Sequence, residues 1–226
     1  MIVGVPKEIK KDEHRIALAP AAVEALTAAG HRVLIQKGAG LGAGIEDRAY
    51  SAVGAKIVAG ADALWRRSEM IVKVKEPLRP EFDKMHEGQI IFAFLHLAAA
   101  KPIARALMRK RVQAVAFETV RTADGALPLL QPMSEIAGRM AVQEGARFLE
   151  KSMGGRGVLL AGAPGVPRGN VVILGAGMVG KNAAKIAVGL GAGVTVLDIN
   201  HNRLQYLDDI FGGRVKTIAS TRFTIR

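Results

Sequence analysis

Four polar side chains with useful chemistry follow apolar segments that have the composition of short β-strands. Arg15 lies in the polar loop after the first of these segments, and Lys75, His96 and Glu118 follow three others. Guanidinium and ammonium groups bind carboxylates, and an imidazole moves protons near neutral pH. Because ligands of parallel α/β sheets bind outside the carboxyl ends of the strands, this set predicts an anion-binding, proton-handling pocket. Taken singly, each residue also fits a structural role, such as a solvated loop charge for Arg15.

A second candidate site lies between residues 171 and 198. The apolar, β-branched run 171–174 leads directly into Gly175-Ala176-Gly177-Met178-Val179-Gly180, and a helix-forming stretch follows from Met178. The next apolar segment ends in Asp198. A glycine triplet in this strand–turn–helix context, with an acid at the end of the second strand, indicates a dinucleotide-binding fingerprint.

Each residue of this fingerprint has a physical task. Gly175 permits the tight turn, Gly177 lets the backbone approach a pyrophosphate, and Gly180 lets the helix pack closely on the strand. The free N–H groups at the helix start receive the phosphate charge. Asp198 accepts hydrogen bonds from a ribose 2′-hydroxyl and repels a 2′-phosphate, so NAD is favoured over NADP.

The rest of the pattern predicts the elements that position these residues. Short apolar segments alternate with helical ones, which is the rhythm of a parallel sheet packed between helices. Strands are predicted at Ile2–Val5, Arg32–Gln36, Lys56–Val58, 70–74, 89–94 and 114–117, and helices at 21–29, 47–53, Ala61–Arg67 and 102–111. A long helix is predicted from an N-cap at Ser134 to about residue 151, with Ile136, Met140 and Phe148 facing inward.

The predicted fold class is therefore α/β, in two domains joined by the long helix. Residues 1–131 form a Rossmann-like substrate domain, and residues 132–226 form the connecting helix with the first half of a doubly wound NAD-binding domain. A complete doubly wound domain has two mononucleotide-binding halves, so three further parallel strands are expected beyond this sequence.

Composition excludes several classes of protein. The 226 residues contain no cysteine, which rules out a disulfide framework and a cysteine–metal cluster, and no other metal site is expected. The net charge of +12 suggests nucleic-acid binding as a hypothesis. Against it, the basic residues are scattered and only 4% of residues are aromatic. The sequence lacks a signal peptide and a span of membrane length, so a cytoplasmic protein is expected, with neither nucleic acid nor membrane as partner.

At this point the sequence resembles the alanine dehydrogenase family, across about residues 1 to 220. The resemblance rests on six motifs in the same order: GVPKEIK at 4–10, EHRIAL at 13–18, VKEP at 74–77, LHLA at 95–98, PMSEIAG at 132–138 and GAGMVGKNAA at 175–184. It implies oxidative deamination of L-alanine to pyruvate and ammonia with reduction of NAD. It also implies a homo-oligomer, which is a hexamer by the family's habit or a larger assembly.

The resemblance assigns roles residue by residue. Arg15 and Lys75 are expected to hold the substrate carboxylate and carbonyl oxygen, with His96 as the catalytic acid and base. The NAD site is expected to include Gly175, Gly177 and Gly180 together with Ser134, Met178, Val179, Asp198, Arg203 and, at its far edge, Ser220. The nearest alternative is the nucleotide-binding part of a proton-translocating transhydrogenase, which shares the opening motif and the fingerprint.

The sequence also departs from the family pattern after residue 220. The second half of the cofactor domain is expected to be missing, and the tail 221–226 does not match. Activity is therefore expected to be impaired. The alternative hypothesis is an inactive form that acts as an oligomeric assembly or a nucleotide-binding remnant.

Overall fold

The protein divides into two compact units, residues 1–127 and 128–226. The computed structural model describes residues 1–224. Residues 225 and 226, the last two of the tail 221–226, lie outside the described residues. Along the described part of the chain, no helix is both long enough and apolar enough to cross a membrane.

The first unit is a parallel sheet of six strands, and helices lie in the connections between the strands. Its strands are β1 (Ile2–Val5), β2 (Arg32–Gln36), β3 (Lys56–Val58), β4 (Met70–Val72), β5 (Ile90–Ala93) and β6 (Gln113–Ala116). Its helices are α1 (Pro20–Ala28), α2 (Asp47–Ala52), α3 (Ala61–Arg67), α4 (Arg79–Phe82) and α5 (Lys101–Arg109). The strand order is β3-β2-β1-β4-β5-β6, with all neighbours parallel.

The central strands of this sheet are the apolar segments that the sequence predicted. Val5, Ile35, Ile71 and Ile91 are fully buried between the helices, and such continuous apolar runs are typical of strands covered on both faces. The strands from β1 to β3 extend the sheet to one side and those from β4 to β6 extend it to the other, with β1 and β4 as parallel neighbours. The loop after β1 and the loop after β4 therefore lie side by side at the carboxyl edge of the sheet. That edge carries the predicted substrate residues.

The second unit contains a long helix and a smaller sheet. Its helices are α6 (Gln131–Phe148), α7 (Met178–Gly189) and α8 (His201–Phe211), and its strands are β7 (Asn170–Leu174), β8 (Gly193–Asp198) and β9 (Val215–Ala219). The strands are parallel in the order β7-β8-β9, which is the first half of a doubly wound sheet. β7 lies at one edge, where Val172 is 63% and Leu174 is 82% exposed.

Two predictions about the long helix were wrong. The helix begins at Gln131, so Ser134 lies inside its first turns rather than capping it. Pro132 sits in the first turn, where its missing N–H costs nothing because that donor has no helical partner.

The inward face of α6 was also mispredicted. Ile136, Met140 and Phe148 are about half exposed, whereas Gly138 and Val142 on the opposite side are buried. A Cβ built on Gly138 would lie 2.2 Å from the Val179 carbonyl oxygen. The smallest residue therefore marks the face on which α6 contacts α7, and the larger apolar residues point away from it.

Candidate functional site

In the first unit, one carboxylate brings two predicted substrate residues together. Glu13 binds the Arg15 guanidinium twice, with Nε donating to Oε1 at 2.8 Å and Nη2 to Oε2 at 2.7 Å. The Lys75 Nζ lies 3.9 Å from the same Oε2 atom. Arg15 and Lys75 are 60 positions apart in sequence, so the fold creates this convergence at the edge of the sheet.

Hydrogen bonding keeps the Glu13 carboxylate charged. The Arg15 side chain, with further help from the Arg15 backbone N–H, lowers the pKa of Glu13 to about 2 although its partial burial opposes this. The same hydrogen bond raises the pKa of Arg15. Glu13 and Arg15 therefore form a fixed ion pair at neutral pH.

A buried network fixes the backbone that carries Lys75. Glu8 Oε1 accepts hydrogen bonds from the backbone N–H groups of Val74 at 2.7 Å and Lys75 at 3.4 Å. The Lys73 Nζ lies 3.3 Å from Glu8 Oε2 and donates to Glu81 Oε1 at 2.7 Å. Burial raises the pKa of Glu8 even though Lys73 opposes the shift. Buried ion pairs of this kind hold a segment in place more than they stabilise the fold.

His96 is held through its backbone just beyond β5. Its φ is +48°, a left-handed conformation that non-glycine residues adopt only when the surroundings enforce it. Here the Glu118 carboxylate accepts from the backbone N–H of His96 at 2.7 Å and from that of Leu95 at 3.2 Å. Phe94 stacks on the imidazole with ring centroids 6.2 Å apart. Glu118 therefore acts on the position of His96.

Two smaller features complete this edge. A cavity of about 520 Å³ opens beside His96 and Glu118, lined otherwise mainly by apolar side chains such as Leu97, Ala98 and Ala116. Glu76 accepts from the Lys10 Nζ at 2.6 Å. Burial alone would raise the pKa of Glu76, but Lys10 and the neighbouring His96 lower it overall.

Within the described residues, no cluster of three His, Cys, Asp or Glu side chains has the arrangement of a metal site.

In the second unit, the fingerprint turn is built by close backbone contacts. Gly175 has a φ of +102°, which excludes other residues, and Gly177 is the N-cap of α7. A Cβ on Gly180 would lie 1.8 Å from the carbonyl oxygen of Gly175. The first turn of α7 therefore lies against the end of β7, with its backbone N–H groups at the carboxyl edge of the sheet.

Asp198 ties the ends of the strands together at this edge. Its Oδ2 accepts from the backbone N–H of Ala176 at 2.6 Å and its Oδ1 from that of Asn200 at 2.7 Å. These two bonds, led by that of Ala176, lower the pKa of Asp198. The backbone N–H of Ser220 donates to the Asp198 carbonyl at 2.9 Å. Asp198 was predicted to accept from a ribose, and the structure adds that it also closes the fingerprint turn.

One cavity of about 770 Å³ gathers the predicted cofactor residues. It is lined by Gly175, Gly177, Met178, Val179, Gly180, Ser134, Asp198 and Arg203, whereas Ser220 lies outside its lining. The Arg203 Nη1 is 3.9 Å from Asp198 Oδ2 and about half of its side chain is exposed. The cavity continues from these residues along the apolar edge of β7, where a doubly wound sheet has its fourth strand. The cavity therefore extends beyond the predicted cofactor residues.

The turn has the shape that a dinucleotide requires. A Cβ on Gly177 would meet only the end of Arg203, at 4.0 Å, so the space beside this residue is open to an approaching phosphate. Arg203 adds a cation at the same point. The residues present therefore fit the pyrophosphate and adenosine end of a dinucleotide.

Sequence reasoning located most of these residues but missed Glu8 and Glu13 as parts of the site. Glu13 is two positions before Arg15, and that spacing is a usable signal for an ion pair within the loop. The partners of Glu8 are 65 or more positions away, and a single sequence carries no signal of such pairs.

These features define a two-unit α/β protein whose second unit has a dinucleotide-binding turn. The sequence matches two family descriptions: "Alanine dehydrogenase/PNT, N-terminal domain" over residues 4–137 and "Alanine dehydrogenase/PNT, C-terminal domain" over residues 141–226. The chain belongs to the alanine dehydrogenase/PNT family. A dehydrogenase family with this fold implies a nicotinamide cofactor.

Relatives named alanine dehydrogenase match the whole chain, and the family match also extends to residue 226, so the expectation that the tail 221–226 does not match was wrong. The protein of Methanococcus maripaludis is 58% identical and that of Bacillus subtilis 56% identical, each over 225 residues. These alignments cover all of this chain but 60% and 59% of the relatives. The chain thus spans about 60% of the length of the curated relatives that it matches.

Solved structures agree with this assignment. An L-alanine dehydrogenase superposes with a TM-score of 0.94 at 54% identity, covering 100% of this chain and 62% of that one. A transhydrogenase from Sinorhizobium meliloti gives a TM-score of 0.82 at 26% identity, covering 97% of this chain and 64% of that one. The first is the more similar in both sequence and fold, which favours the dehydrogenase branch predicted from the motifs.

Proposed function

We propose that this chain acts in the NAD-dependent oxidative deamination of L-alanine to pyruvate and ammonia, with residues 1–131 as the substrate domain and 132–226 as the cofactor domain. One observation carries the proposal. Arg15 and Lys75, which follow different strands, converge on a single carboxylate oxygen at 2.7 and 3.9 Å. Two cations that meet at one carboxylate form the recognition site that a small 2-amino or 2-oxo acid needs.

The proposed chemistry uses the chain's own residues as follows. Arg15 and Lys75 hold the carboxylate of alanine and the oxygen of pyruvate. A nicotinamide held by the fingerprint residues would supply the acceptor for the Cα hydride, and the ammonium group of alanine releases one proton to solvent as the imine forms. The resulting iminopyruvate adds water to give a carbinolamine, which loses ammonia to give pyruvate. The imidazole of His96 takes the proton from the attacking water and returns one to the departing amine.

The cofactor is proposed to be NAD, bound at Gly175, Gly177, Gly180, Met178, Val179, Ser134, Asp198, Arg203 and Ser220. The lowered pKa of Asp198 supports this choice, because an ionised carboxylate accepts from a ribose hydroxyl and repels a 2′-phosphate. Since Asp198 already accepts two backbone N–H groups, its orientation is fixed before any ribose arrives.

We also propose a cytoplasmic homo-oligomer, as the family resemblance implies. The apolar residues of α6 that face away from α7, Ile136, Met140 and Phe148, support self-association. Light scattering of the purified chain tests this, and a stable monomer at micromolar concentration would contradict it.

The direct test is NADH formation, read by absorbance, from L-alanine and NAD at alkaline pH. We expect a rate that His96→Ala abolishes while NAD binding by calorimetry stays intact. His86→Ala, which removes an exposed histidine of the same unit, is the matched control and should keep the wild-type rate. A folded chain that binds NAD and yields no NADH would contradict the enzymatic proposal.

A further inference from the structure

Glu13 pairs with both cations that are proposed to hold the substrate carboxylate. Its side chain is 7% exposed and it receives three hydrogen bonds from Arg15, two from the guanidinium and one from the backbone N–H at 2.9 Å. The Lys75 Nζ lies 3.9 Å from the same carboxylate. An ordinary surface pair, Arg48 with Glu46, shows the contrast, since those side chains are 84% and 60% exposed.

Two consequences follow from this arrangement. The two-point contact fixes the plane of the Arg15 guanidinium, so the cation does not have to be ordered when a ligand arrives. The carboxylate also cancels one of the two positive charges, so the group formed by Glu13, Arg15 and Lys75 has a net charge of +1. A net charge of +1 matches one carboxylate and does not match two.

We propose that Glu13 is a specificity-determining residue, which orients Arg15 and Lys75 and restricts this site to acids with a single carboxylate. A substrate whose methyl group is replaced by a carboxymethyl group brings a second negative charge beside Glu13 and is disfavoured. This inference rests on the proposed function, because it takes Arg15 and Lys75 as the carboxylate site. It adds the substrate class that the site rejects and the residue responsible.

The charge difference predicts a measurable change in selectivity. Replacing Glu13 by Gln keeps an oxygen that accepts from Arg15 but removes the negative charge. A dianion gains about twice as much as a monoanion from that change, because it carries twice the charge. For one unit charge at a partly solvated site, we expect about a five- to tenfold rise in the affinity ratio of dianion to monoanion.

The test uses the 226-residue chain and two stable, non-reacting acids, L-lactate and L-malate, which differ by one carboxylate. Dissociation constants are measured by ligand-observed NMR for the wild type, Glu13→Gln, Glu13→Asp and the matched control Glu46→Gln. The wild type and Glu46→Gln should prefer lactate equally. Glu13→Gln should shift the ratio towards malate, and Glu13→Asp should restore the preference because it restores the charge.

The outcomes separate the two proposals. If Glu13→Gln binds lactate with an unchanged lactate-to-malate ratio, the inference is overturned while the carboxylate site stands. If the folded wild type binds neither acid, the cation pair is not a carboxylate site, and both the substrate assignment and the inference fall. If Glu13 had a purely structural role, Glu13→Gln would weaken the binding of both acids equally and leave the ratio of the two affinities unchanged.

Discussion

The two units place their polar sites at the same location, the carboxyl edge of a parallel sheet, but hold them in different ways. In the first unit, ion pairs between side chains fix the site residues: Glu8 pairs with Lys73, and Glu13 pairs with Arg15 and Lys75. In the second unit, backbone conformation fixes the site, through the left-handed Gly175 and the contact of Gly180 with the end of β7. The carboxylate of Asp198 contributes by accepting hydrogen bonds from two backbone N–H groups.

The difference shows how each site tolerates change. A site held by backbone contact depends on shape, so one added methyl group disrupts it and pH has little effect. A site held by buried or half-buried ions depends on charge balance, so isosteric changes of charge disrupt it. Substitutions in the two units should therefore differ in both their size and their pH dependence.

The largest effect is expected from Lys73→Met. Lys73 is 1% exposed and pairs with Glu81 and Glu8, so its loss leaves two buried carboxylates without a cation. Breaking one partner of a buried ion network costs about 3–5 kcal/mol. Urea unfolding followed by the fluorescence of Trp65, the chain's single tryptophan, reports on the first unit. Lys56→Met, the same change at an exposed position of the same sheet, should cost far less, and equal losses would contradict the role of the network.

The next largest effect is expected from Gly180→Ala in the second unit. The new methyl group would lie 1.8 Å from the Gly175 carbonyl oxygen, which is backbone and cannot move away freely. Overpacking of this kind costs about 1–3 kcal/mol, and it should also abolish NAD binding. Hydrogen exchange of the β7 and β8 amides measures the loss, while the Trp65 transition of the first unit should stay unchanged.

Gly189→Ala is the matched control for that prediction. Gly189 is the last residue of the same helix α7, and a Cβ there meets no atom within 4 Å. Alanine favours a helix over glycine by up to about 1 kcal/mol, so this variant should be neutral or slightly more stable. If both glycine variants lose NAD binding equally, the close contact is not what holds the turn.

The same contrast explains what the sequence predicted well. The strand runs and the fingerprint are local: β1, β2 and β3 have the predicted bounds, Gly175 adopts the left-handed turn, and Gly180 lies against the end of β7 as its spacing implies. Local sterics act between near neighbours in sequence, so a pattern of residue types is sufficient to recognise them.

Pairing between distant positions was not predictable in this way. The face of α6 was mispredicted because the periodicity of Ile136 and Met140 shows that a helix has an apolar stripe, not which partner it contacts. The contact with α7 is set by Gly138, a residue that carries no hydrophobic signal. Likewise, the network around Lys73 depends on Glu8, and only the folded topology brings them within 3.3 Å.

A smaller effect is expected from Asp198→Asn. The amide oxygen can accept one of the two backbone N–H groups, but the amide NH2 would face the other, so the turn should be weakened. The negative charge that repels a 2′-phosphate is also gone. We expect NAD to bind about tenfold more weakly and the preference for NAD over NADP to shrink, since a hydrogen bond to a charged group contributes about 1.5–3 kcal/mol. Calorimetric titration with both dinucleotides measures the ratio. An unchanged ratio would show that Asp198 serves the turn alone.

The smallest effect is expected from Glu13→Gln, and it should depend on pH. The pKa of Glu13 is about 2 in the folded chain and 4.5 when unperturbed, so folding favours its charged form. The stability that this provides is present above pH 4.5 and is lost as the pH falls through 2. Because Arg15 is about half exposed, solvent screening limits the contribution to about 1 kcal/mol.

The unfolding free energy of the wild type should therefore exceed that of Glu13→Gln by about 1 kcal/mol at pH 7. The difference should shrink towards zero between pH 4.5 and 2, as followed by Trp65 fluorescence. Glu46→Gln again serves as the matched control. A difference that stays constant over this range would mean that Glu13 stabilises the loop by packing rather than by charge. The two units would then differ less in what stabilises their sites than the ion-pair distances of the first unit suggest.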